Sequence, residues 1–290
     1  MHKPPESPQT LSIWRRLTNH TATGFAVVAA VLVIVPLLAI FVDLVMKGAS
    51  SFNLAFLTQT PKPPGEVGGG MANAIVGTGL ILAVASVLGL PLGIGCGIYL
   101  AEYGRGRSGD LIRFTADVLN GIPSIVIGMA VYGLIVLRQK HFSAFSGGVA
   151  LGIMMIPTIA RATEEMLLMV PNVVREAALG LGIPKWRTAL SITLRTASAG
   201  VITGCMLAFA RVAGETAPLL FTAFGNQFWN LKLNQPTAAL SLQVYTYGLS
   251  PYDDWHKQAW TGALILIVMI VGAVAAVRIV TSRGKLKGAS

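Results

Sequence analysis

The residues of this chain best placed to do chemistry are two arginines, Arg161 and Arg211, each embedded in a long apolar run. Glu164 and Glu165 follow Arg161 at three and four residues and Glu215 follows Arg211 at four, spacings that put acid and base on one helical face. A guanidinium stays protonated and offers two parallel N–H donors, so it suits a tetrahedral oxyanion as well as a carboxylate. Two roles follow: contact with a passing anion, or an ion pair with the neighbouring glutamate that locks helices together. A carboxylate that partly neutralises Arg211 would also keep an anion from binding too tightly to leave. Asp117 and Asn120 sit about one turn apart on another apolar run, where they are expected to line the same cavity or cap its inner end.

Catalytic and cofactor chemistry find no such support. The four histidines, His2, His20, His141 and His256, fall outside the apolar runs, so no buried base is available to activate the serine of the GRSG segment at 106–109. Gly104, Gly106 and Gly109 match G-x-G-x-x-G, but in a short basic loop with no strand before it. Cys96 and Cys205 lie within apolar runs and argue for neither a disulfide nor a metal. There is no G-x-x-x-x-G-K-[ST], so any ATP used would be hydrolysed by another chain. Neither an enzyme nor a cofactor is expected.

The elements that hold the arginines must suit lipid. Of 290 residues, 53% are hydrophobic and 12% charged, against about 25% charged in an ordinary soluble domain. A bilayer core about 30 Å thick takes roughly 20 apolar residues per helix. Six runs reach that scale: 24–42, 72–100, 111–137, 146–170, 197–224 and 260–277. The fold class expected is therefore an all-α, polytopic bundle of six transmembrane helices. The first run is followed by Asp43 rather than a cleavage site, and is expected to remain as a helix. An arginine at the centre of a membrane helix costs about 2.5 to 3.5 kcal/mol, so Arg161 and Arg211 need a compensating reason. They lie about 13 and 21 Å from the cytoplasmic ends of their runs, close enough in depth to face one aqueous path. The pairs Gly89/Gly93, Gly148/Gly152 and Gly200/Gly204 allow close helix packing.

Of the 22 lysines and arginines, 14 fall in the terminal segments and in or beside the second and fourth loops, Arg113 at the edge of the third run among them, against six in the other loops. The positive-inside rule makes the first set cytoplasmic, and both termini with it. The net charge of +10 then reflects membrane topology, and no nucleic-acid partner is expected. The outside segment 46–70 is rich in Pro and Gly and reads as a linker. The segment 225–259 carries Phe228, Trp229, Tyr245, Tyr247, Tyr252, Trp255 and His256, which suit either an interfacial aromatic belt or a docking surface for an external protein. Glu102 and Asp110 are read as ordinary residues of the cytoplasmic edge.

The segment 171–195, PNVVREAALGLGIPKWRTALSITLR, is too polar for lipid and too regular for coil. Ala177 and Ala178 make a slim helix face, Gly182 permits a sharp turn, and Pro184 can open the next helix at its first position. Glu176, Ala177, Ala178, Gly182 and the Ile192 to Leu194 stretch together resemble the cytoplasmic EAA loop of ABC importer permeases. Arg195 stands where that family usually has proline, which points to a different angle for the following helix.

Three further segments narrow the resemblance: GGGMANAIVGTGLILAVASVLGLPLGIGCGIYLAEY at 68–103, LNGIPSIVIG at 119–128 and FARVAGETAPLLFTAFG at 209–225. They are similar to the PstA-type permease family of bacterial phosphate importers, over roughly 68–280. The resemblance implies type I ABC importer permease architecture, phosphate import by alternating access, and multi-pass insertion in the bacterial inner membrane. It also implies a PstC-like sister permease, a PstB-like ATPase dimer and a PstS-like phosphate-binding protein, besides lipid.

The expected organisation is a cytoplasmic segment 1–20, a first transmembrane helix 21–46, an extracytoplasmic linker 47–70, a permease core 71–282 and a cytoplasmic tail 283–290. Within the core, Arg211, Glu215, Arg161, Asn120 and Asp117 are the candidates for the translocation path, and Glu176, Ala177, Ala178, Gly182 and Pro184 for ATPase coupling. Competing readings are a permease for another oxyanion, such as sulfate or molybdate, and a motor-independent secondary anion transporter or channel.

Overall fold

The computed structural model describes residues 13–286, so most of the expected segment 1–20 and half of the tail 283–290 lie outside the described residues. In chain order the helices are α1 (Ile13–Ser50), α2 (Leu54–Thr58), α3 (Ala72–Glu102), α4 (Arg107–Gly121), α5 (Ser124–Val131), α6 (Leu137–Gln139) and α7 (Ala144–Leu168). They continue as α8 (Asn172–Gly180), α9 (Lys185–Thr188), α10 (Leu194–Ala213), α11 (Ala217–Thr222), α12 (Leu240–Gly248) and α13 (Asp253–Leu286). π-Helical turns at Tyr132–Val136 and Ala189–Thr193 join α5 to α6 and α9 to α10. Among the described residues the only β pairing is two isolated bridges, Pro61 with Gly69 and Phe224 with Thr237.

Five helical runs are long and apolar enough to cross a membrane: α1, α3, α7, the α9–α10 run and α13. The run 111–137, expected as one span, is instead a bent pair, with α4 meeting the 124–139 helix at 103°. Proline explains the break. Pro123 has no N–H to give to the helix and crowds the residue before it, and Ile122 accordingly takes an extended conformation, φ −71 and ψ 132. Residues 124–139 rise only about 24 Å, short of the roughly 30 Å hydrocarbon core, while α4 carries the polar residues of the pair. The run 197–224 is also interrupted: α10 stops at Ala213, Gly214 caps it at φ −90 and ψ −3, and a separate short helix begins at Ala217.

The centre of the molecule is α7, flanked by α3 and α10. Close approach is enforced by missing side chains. A Cβ on Gly93 would stand 2.7 Å from Ile159, one on Gly97 2.5 Å from Thr163, and one on Gly148 2.4 Å from Val84. On the other side of α7, Gly200 and Gly204 abut Met166 and Ala162. All three expected glycine pairs thus serve the α3–α7 or α7–α10 contact, where van der Waals packing replaces a hydrophobic effect that lipid cannot supply.

α1 and α13 pack on each other at the periphery; Thr261 Oγ1 donates to Gly48 O at 3.1 Å and Leu264 closes on Gly48. α1 extends beyond both ends of the expected 21–46 helix. The segment 47–70 is more ordered than a linker: it holds α2, whose Phe56 is buried with Met71, and its end is pinned when Gln258 Nε2 donates to Gly68 O at 3.0 Å.

Candidate functional site

α4 and α7 are joined by a row of polar contacts that run in opposite senses along the two helices. Arg113 Nε donates to Glu164 Oε1 at 2.6 Å; one turn on, Arg161 donates to Asp117 through Nε at 2.9 Å and Nη2 at 2.5 Å; a turn further, Thr158 Oγ1 donates to Asn120 Oδ1 at 3.1 Å. Arg161 Nη1 also reaches Glu164 Oε2 at 3.3 Å. Glu164 is buried, which is tolerable because two guanidiniums share its charge. The expected partner Glu164 is therefore found and Glu165 is not; Glu165 lies on the exposed side of α7. Asp117, half exposed, is the main partner of Arg161, and the structure brings Asp117, Asn120 and Arg161 together as one cluster.

The expected pair of Arg211 with Glu215 does not form. The i,i+4 relation requires a continuous helix, and α10 ends between them, so Glu215 leaves the face that Arg211 occupies. Arg211 is exposed in the last turn of α10, and among the described residues its side chain has no hydrogen bond or ion pair. The unsatisfied carbonyls of that helix end favour a cation there without any carboxylate. Glu215 is half-buried, and its backbone carbonyl accepts from Ser241 Oγ at 2.9 Å. Residues 214–216 form a short irregular segment between α10 and α11.

On the 171–195 segment, Glu176, Ala177 and Ala178 lie on α8, with Ala178 buried and Glu176 and Ala177 exposed. Gly182 makes the sharp turn at φ 79, a left-handed conformation with open space around it that strains most L-residues and that Asn and Asp tolerate best after glycine. Pro184 is the residue before α9 and not its first, at φ −67 and ψ 148. Arg195 lies inside the unbroken α9–α10 helical run, so the helix that follows the loop starts with no break at that position. Val173, Leu181 and Trp186 project from the outside of this loop, each more than half exposed.

Sequence reasoning missed the node behind the loop. Glu102, read as an edge residue, is buried and accepts from Arg175 Nε at 2.9 Å, while its carbonyl accepts from Lys185 Nζ at 2.6 Å. The available signal was the carboxylate directly ending the apolar run 72–100, with an arginine at the first turn of the loop helix.

In the 225–259 segment the aromatic residues divide. Tyr247 and Trp255 stack at 4.2 Å, and burial pushes the Tyr247 hydroxyl above the ordinary tyrosine range. Phe228 and Trp229 remain exposed.

A family model described as "Binding-protein-dependent transport system inner membrane component" matches residues 93–284. The chain is 43% identical to "Phosphate transport system permease protein PstA" of Yersinia pestis, covering 92% of this chain and 90% of that one. It is 44% identical to the protein of that name from Xylella fastidiosa (strain 9a5c), covering 94% and 95%. A chain of the MetNI methionine ABC transporter, solved in inward-facing conformations, superposes with a TM-score of 0.53 at 18% identity, covering 73% of this chain and 94% of that one, a likeness of fold.

Proposed function

Since this chain belongs to the binding-protein-dependent transport system inner membrane components, and among them to the PstA-type permeases, we propose that it is the subunit through which an ATP-driven importer passes inorganic phosphate. The observation that carries the substrate is the identity of 40% or more, over about nine-tenths of both chains, to several relatives named for phosphate transport. These relatives favour phosphate over sulfate or molybdate, and a motor-independent carrier would have no use for the 171–195 loop.

Within this reading Arg211 is the cation that meets phosphate. It is exposed, has no carboxylate of its own, and stands beside the break at 214–216. Arg161, Asp117 and Asn120 border the path from the α4–α7 cluster, and Glu215 adds a negative charge that keeps the anion's stay short. The loop 171–195 lies on the cytoplasmic side and engages a separate ATPase dimer through Glu176 to Pro184; the exposed side of 225–259 meets an external phosphate-binding protein; a sister permease completes the path. The inner membrane is the place for such an assembly, with both termini in the cytoplasm. The test is reconstitution with the co-purifying partners in proteoliposomes. Phosphate, and not sulfate, should stimulate ATP hydrolysis and be taken up; the reverse preference sinks the substrate assignment.

A further inference from the structure

Four chain segments converge on one buried ion pair. Glu102 ends α3 and Arg175 lies in the first turn of α8; their side chains are only 6% and 15% exposed. While Nε of Arg175 holds the Glu102 carboxylate, Nη1 donates to Val170 O and Nη2 to Leu167 O, both at 2.6 Å, so the same guanidinium closes the carbonyl end of α7. Lys185, at the start of α9, adds its bond to the Glu102 carbonyl and lies 4.5 Å above the Tyr103 ring. A planar fork with fixed donor directions is what such a three-way contact needs, and a lysine could not replace it.

We propose that Glu102 and Arg175 are positioning residues that transmit movement of the 171–195 loop to the α3–α7 pair. The proposal rests on the coupling role given to that loop above. A push on α8 displaces Arg175, and Arg175 cannot move without drawing the ends of both α3 and α7 with it. Because α3 packs at Gly93 and Gly97 so closely on Ile159 and Thr163 of α7 that no side chain fits between, the two helices respond as one body. The outer face of the loop, with Val173 and Trp186, is left free for the motor.

The experiment uses the complete complex in proteoliposomes and reads the ratio of phosphate taken up to ATP hydrolysed, with cysteine cross-linking of the loop to the ATPase as a second readout. Glu102→Gln keeps the shape and removes the charge; cross-linking and hydrolysis should persist while the ratio falls about tenfold. Lys185→Met, at an exposed position, should lower the ratio by a smaller factor, and it decides the matter if Glu102→Gln does not assemble. Intact cross-linking with an unchanged ratio in the assembled variants overturns the joint alone. If the loop of the unaltered protein captures no ATPase, the coupling reading has failed first and the joint falls with it.

Discussion

Arg161 grips Asp117 with two arms of its guanidinium, at 2.9 and 2.5 Å, and so ties α7 to α4 a few residues before the chain breaks at Pro123. Among the described residues Arg211 has no such grip. The two arginines thus differ in what holds their side chains, a difference that their similar surroundings in sequence do not show.

The α4–α7 row should be most sensitive at its buried member. Glu164→Gln leaves Arg113 and Arg161 without their shared counter-ion and should destabilise by about 3 kcal/mol. Asp117→Asn, at a half-exposed site, should cost about 1 kcal/mol or less. Thermal unfolding midpoints in detergent measure both; equal shifts would contradict the burial argument.

Arg211→Gln should leave membrane abundance intact, because the side chain supports no neighbour, and should cut phosphate uptake about ten- to hundredfold, the worth of a charge-assisted contact. Adding Glu215→Gln should restore nothing, since the two do not pair. Recovery of full uptake by the double variant would show that a helix lock, and not a phosphate contact, had been lost.

Gly182 faces open space, so any defect on substitution comes from its left-handed backbone alone. Gly182→Asn should be nearly silent, whereas Gly182→Val should cost about 1 to 2 kcal/mol locally and lower uptake per ATP hydrolysed. Equal activity of the two variants would remove the turn from the mechanism.

Two glycines one half-turn apart on α3 make an internal control. A methyl at Gly97 would meet Thr163 at 2.5 Å, while one at Gly95 meets nothing. Gly97→Ala should destabilise by about 1 to 3 kcal/mol, and Gly95→Ala should be neutral or slightly stabilising. Detergent-solubilised melting curves distinguish them.

At the start of α13, Asp253 and Asp254 should not behave alike. Asp254 accepts from Gln258 Nε2 at 2.9 Å and from Gly68 N at 3.4 Å, so Asp254→Lys should lower abundance. Asp253 is exposed, and Asp253→Lys should weaken receptor-stimulated ATPase while sparing basal ATPase. Equal loss of both activities with Asp253→Lys would count against docking at this face.

Hydropathy located every apolar run, because burial in lipid depends on composition that a window can count. It misjudged two of them as unbroken, since a window does not register that Pro123 unseats Ile122 or that Gly214 ends α10. The missed Arg161–Asp117 contact and the assumed Arg211–Glu215 contact share one cause. Spacing predicts neighbours within a helix; it is silent on which other helix lies across from an arginine and on where the helix stops. Glu102 was misread for a related reason: its burial comes from the loop folding back over it 73 residues later, a closure no local pattern records.

The π turn at Ala189–Thr193 sets an azimuth. One extra residue in a helix rotates every later side chain by about 100° about the axis, so a helical wheel drawn straight through from Lys185 points Arg211 the wrong way. Removing a single residue from 189–193 would rewind the helix and swing Arg211 by that angle while leaving the segment Glu176 to Pro184 and the arginine itself unchanged in sequence. The compass bearing of the free cation is thus written in five residues lying about 30 Å away along the axis.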